Sequence, residues 1–145
     1  MALPIQGLKP ADLRDTFNEV HNGHAHEAID MMAPRGTPVH AAVSGTIRKL
    51  FFSKAGGNTI YEFDEAGKRS YYYAHLDRYA KGVREGMRVE RGDVIAYVGS
   101  TGNADARAPH LHFTVFELGP KQEWWKGTPL NPYADLVAAA KKASK

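Results

Sequence analysis

The stretch Pro109-His110-Leu111-His112-Phe113-Thr114-Val115 most constrains what this chain can become. Read as a β-strand it alternates without a break. Leu111, Phe113 and Val115 take one face, and His110, His112 and Thr114 take the other. The apolar face demands a core beneath it. The opposite face then carries two imidazoles one strand repeat apart. Imidazole is the commonest side chain for binding a transition metal and for moving protons near neutral pH. A His-x-His pair alone is an ordinary feature of a solvated sheet face, so the rest of the sequence decides what this pair means.

Other segments repeat the β signature. Val39–Val43, Thr46–Phe52, Asn58–Asp64, Arg69–Leu76 and Val94–Val98 read as strands, separated by turns such as Ser44-Gly45 and Asp64–Lys68. Met31–Pro38 reads as a turn, and Asn103–Ala108 continues the loop that leads into Pro109. One or two helical turns are expected over Ala11–Phe17. A C-terminal helix is expected from an Asn131 cap and Pro132 to about Ala140, with a frayed tail. With 145 residues and no internal repeat or linker, one domain is expected. Within it, residues 1–25 are irregular, 26–132 form the core and 133–145 the helix and tail. The fold class is mainly β: an antiparallel sheet, a loop-walled groove and a short C-terminal helix.

Composition narrows the chemistry. Cysteine is absent, so there is no disulfide framework and no thiolate metal site. Any metal must be held by His, Asp or Glu. A net charge of +3 and no Lys/Arg cluster interleaved with aromatics argue against a nucleic-acid partner. No stretch is long and apolar enough to span a membrane, and no basic segment followed by an apolar run marks a signal peptide.

The ten residues from His21 to Asp30 hold three of the seven histidines. If His112 binds a metal, His26 and Asp30 are the best further donors. Their i, i+4 spacing turns both side chains the same way, on a helical turn or along an extended segment. Two imidazoles and a carboxylate suit Zn²⁺ and leave a fourth position open. The plainer alternative is a surface His26–Asp30 pair. His21, His24 and His40 read as structural or surface residues, and of these His24 is the one that could replace His26 as a ligand. His75 and His110 are the remaining candidates, as proton carriers or as donors to an oxyanion.

The sequence resembles the lysostaphin-type, LytM-like zinc endopeptidases. His26-Glu27-Ala28-Ile29-Asp30 with Ala33–Val39 is similar to their first metal motif. Tyr73-Ala74-His75-Leu76 is similar to their Tyr-Ala-His-Leu element. Gly92–Ile95, Val98–Gly102 and Pro109–Phe113 resemble their C-terminal signature, and Asn131-Pro132 their ending. The resemblance implies one zinc per chain held by His26, Asp30 and His112, with His75 and His110 as catalytic histidines. It implies hydrolysis of peptide bonds in the cross-links or stem peptides of bacterial peptidoglycan, by a monomer acting in the cell envelope, periplasmic or extracellular. It departs from the family at Ala28, where glycine is frequent, and in the longer Asn103–Ala108 segment, expected to form part of a groove wall.

Three other functions fit the residues less well. A ligand-deficient regulator or wall-binding relative would lack some of the five positions, which are intact here. A lipoyl or biotin carrier needs a lysine at its hairpin tip, where this chain has Ser100-Thr101-Gly102-Asn103. A zinc peptidase of another type would carry a His-Glu-x-x-His helix, and none is present.

Overall fold

A computed structural model describes residues 1–21 and 23–143. Asn22, the side chain of His21 and residues 144–145 lie outside what is described, as therefore do the expectations for His21 and the tail end.

The chain opens with a 3-10 turn over Pro10–Asp12. Two short strands follow, β1 (Val20–His21) and β2 (His24–Ala25), paired with each other. Next come β3 (Ile29–Met32), β4 (Pro38–His40), β5 (Gly45–Ser53), β6 (Gly57–Asp64), β7 (Arg69–Tyr79), β8 (Arg88–Val89), β9 (Val94–Val98), β10 (His110–Leu118) and β11 (Gly127–Leu130). Helix α1 covers Tyr133–Ala143. The protein is a single, mainly antiparallel β domain with one short C-terminal helix. The main sheet runs β11-β10-β7-β6-β5-β8. Strand β3 pairs with the first half of β10, and β9 joins the end of β7 to β4.

Alternation decides which face is which. Leu111, Phe113 and Val115 of β10, Tyr71 and Tyr73 of β7, and Ile47 and Ile60 all face one buried core. That core is closed by Val39, Ile95 and Val98, by Leu3, Ile5 and Leu13 from the N-terminal segment, and by Leu136 and Ala140 of α1. Burying a side chain such as Phe113 contributes about 1.5–3 kcal/mol, which fixes the register. A slip of one residue would turn His112 inward. The other face carries His110, His112 and Thr114 of β10, Tyr72 and Ala74 of β7, and Tyr61 of β6.

Several boundaries differ from the sequence-based expectation. Residues 1–25 are not irregular throughout, since they hold β1 and β2. The expected helix over Ala11–Phe17 stops at the 3-10 turn, because Leu13 is drawn into the core in extended conformation. The turn expected from Met31 begins after Met32, because Met31 is buried and pairs with Leu111. The strand expected over Val39–Val43 ends at His40, where the register with β9 shifts. The C-terminal helix starts as read from the sequence: Asn131 Oδ1 accepts the Tyr133 N–H at 3.0 Å, a side-chain cap.

Candidate metal centre

His112 projects from β10 beside Ala74 on one flank and Asp30 of β3 on the other, by backbone register. His26 lies between β2 and β3 and reaches the same place from that connection. The spacing therefore works through a non-helical bend that leads into β3, and not through a helical turn. Glu27 makes the bend, with φ +57°, and Thr114 Oγ1 donates to the Glu27 carbonyl at 2.7 Å. Ala28 has no positive φ, so the side chain that replaces the family's frequent glycine costs nothing in backbone strain.

One donor atom from each of His26, Asp30 and His112 lies within 4.8 Å of the other two. Asp30 Oδ1 is the hub, with His26 Nε2 at 3.2 Å, His112 Nδ1 at 3.4 Å and His110 Nε2 at 3.7 Å. This oxygen is buried and makes no well-formed hydrogen bond. An orphaned carboxylate oxygen ringed by imidazole nitrogens is costly unless a cation sits among them. The donor set, two nitrogens and one oxygen, fits a zinc ion with one coordination position left over.

Three of the four rings are oriented from behind. A carbonyl can only accept, so the nitrogen that meets one carries the proton. His26 Nδ1 donates to the Thr16 carbonyl at 3.0 Å, His75 Nδ1 to the Thr101 carbonyl at 2.8 Å and His110 Nδ1 to the Ala108 carbonyl at 3.0 Å. In each ring Nε2 is left on the side away from that carbonyl. Thr16 does more. Its buried hydroxyl donates to the Ala28 carbonyl at 2.9 Å and accepts the Asp30 N–H at 3.1 Å. One residue thus braces two candidate ligands.

His75 is held in a strained conformation, φ +60°, with its N–H donating to the Gly56 carbonyl at 2.7 Å. Its ring lies 5.1 Å from that of His110 and 5.5 Å from that of His112, centroid to centroid. Burial pushes the His75 imidazolium down to about 4, with the neighbouring His112 and His110 rings adding to it against the bond to Thr101. Burial works to raise Asp30, yet the close approach of the His112 and His26 rings, with His110 behind them, prevails and holds it well below the usual carboxylate range. His26 is raised, chiefly by the Asp30 carboxylate beside it, against the opposing effect of burial.

A cavity of about 380 Å³ opens over these groups. His26, Asp30, Tyr72, His75, His110 and His112 line it, and Asn103, Ala104 and Asp105 stand at its rim. The longer loop expected in a groove wall is therefore at the cavity. The structure brings all five candidate residues together. It leaves His24 exposed in β2, and it ties the buried His40 to the Gly92 carbonyl at 2.8 Å. Sequence reasoning did not find Thr16, Thr101 or Tyr72. Thr101 works here through a main-chain carbonyl and Thr16 through both its carbonyl and its hydroxyl, so no residue-type pattern announces them.

Comparison with known proteins agrees with this architecture. The model of peptidase family M23 matches residues 24–132. An L-Ala–D-Glu endopeptidase of Bacillus subtilis is 33% identical over 118 residues, covering 78% of this chain and 35% of that protein. The peptidoglycan DD-endopeptidase ShyC of Vibrio cholerae is 36% identical over 95 residues, 66% of this chain and 21% of that protein. The chain thus spans about a third or less of these curated relatives. Among solved structures, the catalytic domain of the antimicrobial peptidase lysostaphin from Staphylococcus simulans superposes with a TM-score of 0.68 at 34% identity, covering 79% of this chain and 81% of that one. The chain belongs to peptidase family M23 and is of the lysostaphin type.

Proposed function

We propose that this domain is a zinc-dependent endopeptidase of bacterial peptidoglycan, cutting peptide bonds in its cross-links or stem peptides. The observation that carries the reading is the convergence of His26, Asp30 and His112 around a buried carboxylate oxygen without a hydrogen bond, at the floor of an open cavity. These three residues would hold one zinc ion. Bound there, zinc supplies a Lewis acid and makes a coordinated water more acidic.

The chain's own residues supply the rest. His75 is neutral at pH 7, and with Nδ1 committed to Thr101 its Nε2 is a lone pair, able to take a proton from an attacking water. His110, with Nδ1 committed to Ala108, turns Nε2 to the cavity side, and when the ring is doubly protonated Nε2 would donate to the oxyanion that forms as the water oxygen adds to the scissile carbonyl. The C–N bond then breaks, and the proton taken from water leaves on the amine. Names of relatives point to the wall polymer as substrate but to different bonds in it. The site of action would be the cell envelope. Among the described residues no helix is long and apolar enough to cross a membrane.

Purified protein should carry about one zinc per chain and release soluble muropeptides from isolated peptidoglycan, identifiable by mass spectrometry. His112→Ala should abolish both zinc binding and release. Protein that takes up no zinc, or holds zinc yet releases nothing, would overturn the reading.

A further inference from the structure

The proposed peptidase chemistry uses the histidines of the cavity and leaves Tyr72 in its wall, and the rings beyond it, without a role. From His112 a run of rings climbs away across the polar face of the sheet. Tyr72 meets His112 at 5.9 Å between centroids, Tyr61 meets Tyr72 at 4.7 Å, and Trp124 meets Tyr61 at 5.0 Å. Trp124 then touches Phe51 at 5.4 Å and Trp125 at 5.5 Å. Tyr72, Tyr61 and Phe51 belong to three adjacent strands, β7, β6 and β5. The two tryptophans come from the loop between β10 and β11, which folds back over the sheet. Gln122 anchors that loop, its Nε2 donating to the Gly67 carbonyl in the β6–β7 turn at 2.9 Å.

Packing alone does not account for the outer end of this run. Trp125 is 63% exposed and Phe51 41% exposed. Large apolar rings left in water at the end of a run of rings that begins at Tyr72 in the cavity wall mark a binding surface. Charge selects among occupants. Lys49 lies over the Trp124 ring at 5.6 Å, but its ammonium is paired with Glu85 at 3.4 Å. The surface therefore suits a neutral, amphipathic ligand better than an anionic peptide. A pyranose ring has that character, with C–H faces that rest on aromatic rings and a rim of hydroxyls that meets polar edges such as the Tyr61 and Tyr72 phenols.

We propose that Tyr72, Tyr61, Trp124, Phe51 and Trp125 form a sugar subsite that takes the glycan strand of the substrate beside the metal centre. The inference rests on the proposed activity toward peptidoglycan, in which the scissile peptide is covalently tied to an N-acetylhexosamine chain. A subsite continuous with the metal centre lets one molecule occupy both. It makes the domain a reader of polymer context and not only of the peptide bond.

The test uses zinc-loaded full chain and two readouts. Titration with chitotetraose, a neutral N-acetylglucosamine oligomer, should quench tryptophan fluorescence saturably. Phe51→Ala should weaken that binding about tenfold, the loss expected for one aromatic stack, and Trp125→Ala should do the same when binding is followed by calorimetry. Hydrolysis should show the second signature: for either variant KM rises for cross-linked muropeptides that carry their sugars, by a larger factor than for the same peptides stripped of sugar. A chain that cleaves peptidoglycan but does not bind chitotetraose overturns the sugar subsite and leaves the peptidase intact. An equal rise in KM on both substrates overturns it too, since the rings would then contact peptide. A chain that cleaves neither substrate removes the peptidase reading, and the glycan assignment with it.

Discussion

Thr16 shows how a residue without metal-binding chemistry can govern the proposed metal site. Its carbonyl sets the His26 tautomer, and its hydroxyl joins the Ala28 carbonyl to the Asp30 N–H. Loss of such supporting bonds typically costs about 10–100-fold in metal affinity. Thr16→Ala keeps the carbonyl and loses the hydroxyl, so zinc affinity should fall about tenfold, measured by competition with a chromophoric chelator. Thr16→Ser, which restores the hydroxyl, should recover most of it. Equal affinity in all three proteins would show that the hydroxyl does not brace Asp30. The contrast with His112 is instructive. His112 is legible in the sequence because strict alternation within β10 forces it opposite Leu111 and Phe113. The Thr16 hydroxyl bonds lie 12 and 14 residues away across an irregular segment, where no period points to a partner.

At the scale of elements, His75 depends on a contact between two loops. The loop containing Thr101 presses against the start of β6 so closely that a side chain on Gly57 would strike Thr101 and Gly102, and one on Gly102 would strike Gly57 and Ala55. Both glycines also have positive φ, +68° and +76°. This approach delivers the Thr101 carbonyl to His75 Nδ1, while Thr101 Oγ1 donates to the Leu76 carbonyl at 2.7 Å and accepts the Asn58 N–H at 3.1 Å. Gly102→Ala should push the loop off and misplace His75. Misplacement on the order of 1 Å can cost about 10² in turnover, and zinc content should stay unchanged. Gly82→Ala is the control: its φ is +86° but nothing lies within 4 Å of the added methyl, so stability should fall slightly and turnover should hold. A Gly102→Ala protein with undiminished kcat would sever the link between this loop and His75. The glycines are visible in the sequence as turn markers, but not their mutual contact, because loops carry no periodicity. For the same reason Trp124 and Trp125 gave no hint that they would lie across β5 and β6.

The whole molecule is tied through its core by a carboxyl group. Glu62 of β6 is fully buried on the face opposite the histidines. Tyr73 Oη donates to its Oε1 at 2.7 Å and accepts the Ala42 N–H at 2.9 Å, so β6, β7 and the segment after β4 meet at this point. Oε2 is buried without a partner. Burial pushes Glu62 up to about 8, against the bond from Tyr73 and aided by nearby Asp64. Strand alternation with Ile60 places this polar residue inward, but only the tertiary structure shows that among the described residues no cation pairs with it. The sign of the linkage follows. The unfolded chain releases this proton near 4.5, whereas the folded chain keeps it until about 8. Between those values the folded state binds more protons, so stability declines as pH rises through that window and levels off above it. Below about 4.5 both states are protonated and the group imposes no penalty. Glu62→Gln keeps the shape and the acceptor for Tyr73 while removing the titration. Thermal melts from pH 5 to 9 should therefore give similar midpoints for the two proteins at pH 5. Glu62→Gln should become the more stable by on the order of a few kcal/mol at pH 9. The metal centre contributes equally to both proteins, so the difference between them isolates Glu62. A gap that stayed constant across that range would mean that Glu62 is ionised in the folded core throughout.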